Sequence, residues 1–253
     1  TVPTTIGVGA TVTVECTTPT TGLLSPFDRR AVVSNQATFT TNETDPESSP
    51  EVEVDVVPPA TGWTDVAEWY RAAADWMDHW DLADGFANGT QFRGTRPTSR
   101  GQFVRMVYRL AGEPEPPSPP THSFTDVPQE FADAVAWAVE NPDGPDVPLI
   151  AGLTRTRFGT GSAITRGQAV RALFRWANRF GPQTVPNPPT HSFTDVPQSL
   201  RAAVAWAAND PDGAGPQLRL VSGLSTTRFG PNANLSRGQT ASVLHRLADR
   251  LDL

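Results

Sequence analysis

The sequence predicts a mainly α protein built from three helix–loop–helix repeats, with a short β-rich segment ahead of them. Three observations carry this reading. The nine residues THSFTDVPQ occur twice, at 121–129 and at 190–198. Each copy is followed by a Trp-bearing helical pattern, a Gly, an R-F-G, and an [ST]-R-G-Q phrase that opens a second helical pattern. A weaker copy precedes both, running from Trp63-Thr64-Asp65-Val66 to Ser99-Arg100-Gly101-Gln102. A unit of this size cannot bury its apolar face alone, so three in series must pack on one another.

In chain order, residues 1–58 read as β. Val12, Val14 and Cys16 alternate with Thr13 and Glu15, residues 32–39 are strand-like, and Val52, Val54 and Val56 alternate with Glu53 and Asp55. That is the period of a half-buried strand. So few strands fall short of an independent domain, which makes the segment the C-terminal part of a β-sandwich begun upstream. Pro58-Pro59 ends it. The three repeats then occupy 59–113, 114–181 and 182–253. In the first, Trp69, Ala73 and Trp76 fall at helical spacing, followed by Val104, Val107 and Leu110. The second has Phe131, Ala134, Val135 and Ala138 with Trp137 beside the stripe, then Val170, Leu173, Phe174 and Ala177. The third has Leu200, Val204 and Trp206, then Val243, Leu244 and Leu247. Pro-rich joints at 112–120 and 181–189 act as semi-rigid spacers between units.

Composition narrows the function. The net charge of −7 is concentrated in residues 1–60, where eight acids face Arg29 and Arg30. No basic stripe of the kind nucleic acid requires is present, and no apolar run is long enough to span a bilayer. All 20 basic residues are Arg, which excludes Schiff-base lysine chemistry and Lys–Asn cross-links. The lone Cys16 reads as a small buried hydrophobe of a strand. No signal peptide is visible and the chain starts at Thr1 without a Met, so the expectation is a mature or cut fragment whose upstream part is missing.

The phrase at the head of each second helix carries the chemistry: Ser99-Arg100-Gly101-Gln102, Thr165-Arg166-Gly167-Gln168 and Ser236-Arg237-Gly238-Gln239. A hydroxyl residue followed three positions later by Gln is a capping box, worth roughly 1 kcal/mol to each helix. Capping does not explain the Arg. A cation at the first helical position is mildly disfavoured by the macrodipole, by about 0.3–1 kcal/mol. Its threefold recurrence implies an anionic partner. Two partners are open: Asp65, Asp126 and Asp195, which occupy matching repeat positions, or a ligand acid at the helix N-termini.

The order [WF]-T-D-V, Trp-bearing helix, Gly, R-F-G and [IL]-[ST]-R-G-Q resembles the surface-layer homology (SLH) module, over residues 62–253. The resemblance implies three units packed as a pseudo-three-fold prism around a helical core. It also implies binding of secondary cell-wall polysaccharide, often pyruvylated, in grooves between units. The family phrase is I-T-R-A-E, and its Arg is a ligand contact. Carried over, that role falls on Arg100, Arg166 and Arg237, with contributions from Asp65, Asp126, Asp195, Gly85, Gly152, Gly223 and Trp63. Here Gly and Gln stand where the family has Ala and Glu. The loops after the first helix are also longer in repeats two and three, with Asp143, Asp146, Asp210 and Asp212 in them. These acids lack the spacing of a calcium loop and read as solvated turn residues. The pattern N-x-A-x-x-x-T then D-P (Asn35, Ala37, Thr41, Asp45, Pro46) is similar to the Ig-like repeats of bacterial surface proteins.

Other signals are weaker. His122, Ser123 and Asp126 lie in one short turn, where they cap backbone groups more readily than they align for proton relay. Four scattered His and one Cys make no zinc site. The expectation is therefore a non-enzymatic module without cofactor or metal, at the bacterial cell wall or surface. It would anchor an exported protein through an anionic glycan, with no nucleic-acid partner and no membrane insertion. The alternative is a structural self-assembly module of a surface layer or fibre, without glycan binding.

Overall fold

The computed structural model describes residues 62–116, 122–140, 148–178, 191–209, 219–251 and 253, with four short strands between 32 and 55. Cys16, the strand expected at 12–16, most of the Pro-rich joints and the acids Asp143, Asp146, Asp210 and Asp212 lie outside them. The described chain is mainly helical.

The strands pair as two antiparallel ladders. β1 (Val32–Asn35) joins β4 (Val52–Asp55) with Val33 opposite Val54, and β2 (Thr38–Phe39) joins β3 (Glu47–Ser48). The expected single strand at 32–39 is thus two short ones.

Six α-helices follow: α1 (Arg71–His79), α2 (Arg100–Leu110), α3 (Ala132–Glu140), α4 (Arg166–Ala177), α5 (Arg201–Ala208) and α6 (Arg237–Leu251). A single 3₁₀ turn precedes each first helix, at Glu68–Tyr70, Gln129–Phe131 and Gln198–Leu200. The three second helices begin at the motif arginines because their caps form as the spacing requires. Gln102 N–H donates to Ser99 Oγ at 3.2 Å, Gln168 N–H to Thr165 Oγ1 at 3.3 Å and Gln239 N–H to Ser236 Oγ at 3.3 Å. Each Gln side-chain oxygen accepts from the N-cap amide in return.

Helices pair across repeats. α2 packs on α3, α4 on α5, and α6 on α1, so each second helix meets the first helix of the next repeat and the last closes on the first. The same aromatic contact marks each pair: Tyr108 with Trp137 at 5.5 Å, Phe174 with Trp206 at 5.4 Å, and His245 with Trp76 at 5.1 Å between ring centroids. The three tryptophans are buried, Trp137 at 2%, Trp206 at 1% and Trp76 at 6% exposure, and each contributes about 1.5–3 kcal/mol. A ring of backbone bonds closes the same circuit. Thr98 N–H donates to Leu235 O at 2.9 Å, Leu235 N–H to Ile164 O at 3.1 Å, and Ile164 N–H to Thr98 O at 2.9 Å. Thr98 is polar where Ile164 and Leu235 are apolar. Its hydroxyl lies 2.8 Å from that of Thr240, which keeps the buried position satisfied.

Loop length does not disturb this frame. The amides of Leu82, Leu149 and Leu220 return to the helix ends, donating to Met77 O, Ala138 O and Ala207 O at 2.8, 2.8 and 2.9 Å. The long loops of repeats two and three therefore leave and rejoin at the point where the short loop of repeat one does.

One core expectation is corrected. Trp69 was placed on the apolar stripe of α1, but it is 62% exposed. The chain enters α1 through the 3₁₀ turn, whose tighter winding shifts the inward position to Tyr70, 3% exposed. Tyr70 packs against Gly238, where an added Cβ would lie 2.8 Å from Tyr70 Cδ1. Leu200 sits equally against Gly167, at 2.8 Å from an added Cβ, and Phe131 against Gly101, at 3.3 Å. Glycine in the R-G-Q phrase is thus what lets a large side chain of the next repeat reach the helix head.

Candidate functional site

The first two amides of each second helix are spent within the protein. Arg100 N–H donates to Ser162 O and Gly101 N–H to Thr160 O; Arg166 and Gly167 pair likewise with Ala233 and Pro231, and Arg237 and Gly238 with Arg96 and Gly94. With the third amide on its cap, little of the helix head remains to receive an anion.

The motif arginines are buried at 1%, 5% and 2% exposure for Arg100, Arg166 and Arg237. Each reaches into the next repeat and clamps two carbonyls. Arg100 donates from Nε to Phe158 O at 3.1 Å and from Nη2 to Ala151 O at 2.6 Å. Arg166 bonds Phe229 O at 3.0 Å and Ser222 O at 2.5 Å; Arg237 bonds Phe92 O at 2.9 Å and Asp84 O at 3.0 Å. Each guanidinium also lies over the ring of the Phe it clamps, at 4.7–4.8 Å. Burial pulls all three below the usual Arg range, against the opposing charges of Asp126 for Arg100, Asp195 for Arg166, and Asp84 then Asp65 for Arg237. Arg237 falls to about 10, so it is still a cation at neutral pH.

Asp65, Asp126 and Asp195 stand on the other side of the same segments. Asp126 accepts from the amides of Phe158 at 2.7 Å and Gly159 at 2.8 Å. Asp195 accepts from Phe229 and Gly230, both at 2.8 Å, and Asp65 from Phe92 at 2.6 Å and Arg93 at 2.8 Å. Burial works to raise the Asp126 carboxyl, but the Gly159 and Phe158 amides hold it below the usual range. The Phe229 amide, against burial and with the Gly230 amide, does the same for Asp195. The Arg of one repeat and the Asp of the next therefore meet across one peptide, Arg on the carbonyl and Asp on the N–H, where a direct ion pair was one of the two partners left open. A backbone dipole between the two charges satisfies both without bringing the side chains together.

Gly85, Gly152 and Gly223 lie beneath the aromatic residues that begin each repeat. An added Cβ would meet Trp63 Nε1 at 2.6 Å at Gly85 and Phe124 Cζ at 2.6 Å at Gly152, and would run into the Phe193 ring at Gly223. Trp63 is itself buried, 5% exposed and 4.7 Å from Phe92.

Three equivalent grooves open beside these clamps. The first is lined by Arg237, Asp84, Gly85, Gln102, Arg105 and Arg109; the second by Arg100, Ala151, Gly152, Gln168, Arg171 and Arg175; the third by Arg166, Ser222, Gly223, Gln239, Arg246 and Trp69. Their volumes are about 140, 360 and 210 Å³. Each combines the motif Arg of one repeat with a Gly-bearing segment and second helix of the next. Sequence reasoning missed Arg109, Arg175 and Arg246, which recur nine residues after the motif Arg. Each donates from Nη1 to a loop carbonyl, of Asp81, Pro148 and Arg219 at 2.9, 2.7 and 3.4 Å. That spacing was a readable signal.

Ser123 donates to Arg155 O at 3.1 Å, and Asp126 is held by the two amides named above. His122 stacks on Phe124 at 4.9 Å, and no His–Ser–Asp relay forms among them. No group of three or more metal-ligating residues gathers among the described residues, and no described helix is long and apolar enough to cross a membrane. No protein-family model matches the sequence, and no curated protein matches it.

Proposed function

We propose that this chain is a non-covalent, non-enzymatic anchor of the SLH type, which holds an exported protein to an anionic secondary cell-wall polysaccharide. Its helical part would be the pseudo-three-fold prism of that family, and its β part the end of an Ig-like surface repeat. One observation carries the reading: the motif Arg lines a groove in all three repeats, each time beside a Gly segment and a second Arg. The test is sedimentation with purified wall sacculi before and after acid removal of secondary polymers. Binding to intact sacculi that is lost on stripping is expected. A folded protein that ignores intact sacculi refutes the anchor.

A second reading is favoured by the internal engagement of the motif arginines, which spend two nitrogens each on the protein's own carbonyls. Under it the clamps are purely structural and the module self-assembles on a surface or fibre. Analytical ultracentrifugation without glycan separates the two, since assembly predicts persistent oligomers.

A further inference from the structure

The three grooves share a plan but not a charge. In the first, the Asp84 carboxylate lies 3.1 Å from Arg105 Nη1 and 3.1 Å from Arg109 Nη1, so it occupies the place an external anion would take. Glu130 lines the same groove. At the position of Asp84 the second groove has Ala151 and the third has Ser222, and at the position of Glu130 the residues are Ser199 and Trp69. Among the described residues lining the second groove none is acidic, while Arg100, Arg171 and Arg175 all reach it. In the third, Ser242 stands where Arg105 and Arg171 stand in the others.

Donors in the second groove are unspent. Arg171 bonds Ser199 Oγ at 3.2 Å through Nη2, and its Nε is buried with no hydrogen-bond partner. Arg100 uses Nε and Nη2 on carbonyls, and Nη1 has no protein hydrogen bond among the described residues. Burial, and then the positive charge of Arg171, lower the Arg175 guanidinium, as expected where cations gather without a carboxylate. A buried donor without a partner is costly, and an oxyanion is the group that satisfies several arginine donors at once.

Resting on the anchor reading, we propose that the second groove is the carboxylate site for the glycan and that Asp84 keeps the first groove shut to anions. The three repeats are then specialised: one open cationic groove, one self-neutralised, and one with fewer cations beside an exposed tryptophan.

The test uses the whole chain and a methyl hexopyranoside carrying a 4,6-pyruvate ketal, titrated by calorimetry and by NMR of the arginine Nε–H signals. The isopropylidene ketal of the same sugar, which lacks the carboxylate, and inorganic phosphate are the comparison ligands. One site is expected in the wild type, with the Arg171 and Arg100 signals shifting. Arg171→Gln, which removes an exposed bond to Ser199, should weaken it roughly tenfold or more. Asp84→Ala/Glu130→Ser, which copies the residues of the second groove, should add a second site. Two or more wild-type sites, no site, or a site indifferent to Arg171→Gln overturns the proposal. So does equal binding of the neutral ketal or tighter binding of phosphate. Retained sacculus binding alongside any of these leaves the anchor reading standing, whereas loss of sacculus binding in the wild type removes both.

Discussion

Arg166→Met separates a clamp from a pure ligand contact. The substitution keeps an unbranched stem but deletes bonds of 3.0 Å to Phe229 O and 2.5 Å to Ser222 O, at a side chain 5% exposed. Hydrogen bonds to a charged group contribute about 1.5–3 kcal/mol each. The face contact with Phe229 at 4.7 Å adds about 0.5–2 kcal/mol. Opposing these, the variant no longer buries a charge, which recovers several kcal/mol of desolvation. The balance is a loss of about 2–4 kcal/mol, because two carbonyls are left without donors and both tie the third repeat to the second. For a domain of this size that lowers Tm by about 5–15 °C. Urea unfolding followed by tryptophan fluorescence and calorimetry reads both quantities. A variant within about 0.5 kcal/mol of wild type that has nonetheless lost sacculus binding would refute the clamp and make Arg166 a ligand contact alone.

Gly238→Ala should destabilise the protein. The new Cβ meets Tyr70 at 2.8 Å, an overpacking cost of about 1–3 kcal/mol against at most about 1 kcal/mol of helix propensity gained. Combining it with Tyr70→Leu should recover part of the loss in thermal melts. Asp126→Asn should cost about 1–3 kcal/mol near neutral pH, measured by urea titration. The Asp126 carboxyl is held below its usual range. Its contribution is therefore present above the unfolded value of about 3.9 and lost as pH falls through the lower folded value, so the two proteins should converge as the solution is acidified below the unfolded value. Trp69→Ala should change stability by less than about 0.5 kcal/mol, while Tyr70→Ala should cost about 3–5 kcal/mol. Equal effects would show that the inward position is misassigned.

What was legible in the chain was short-range. The capping boxes at Ser99, Thr165 and Ser236 form because their partners are three residues apart and need no tertiary help. Helix starts at Arg100, Arg166 and Arg237 follow from those caps. Repeat identity told which residues were equivalent, and therefore that Asp65, Asp126 and Asp195 would share one task. It did not tell the task, because a carboxylate accepts as well from an amide as from a guanidinium, and only the fold brings the Phe158, Phe229 and Phe92 peptides between the two charges. Trp69 was misread because a 3₁₀ entrance shifts the helical register by a fraction of a turn.

The sequence by itself determined three units, their helices and the heads of those helices, since each rests on contacts within a few residues. Tertiary structure alone decided the cyclic partnering of α6 with α1 and the sealing of the helix-head amides, because these join residues of different repeats that are far apart in the chain. It also decided the differing charge of the grooves. Asp84 is one acid among 27 in the chain. Its effect comes from Arg105 and Arg109, which α2 carries over the returning loop to within 3.1 Å of it.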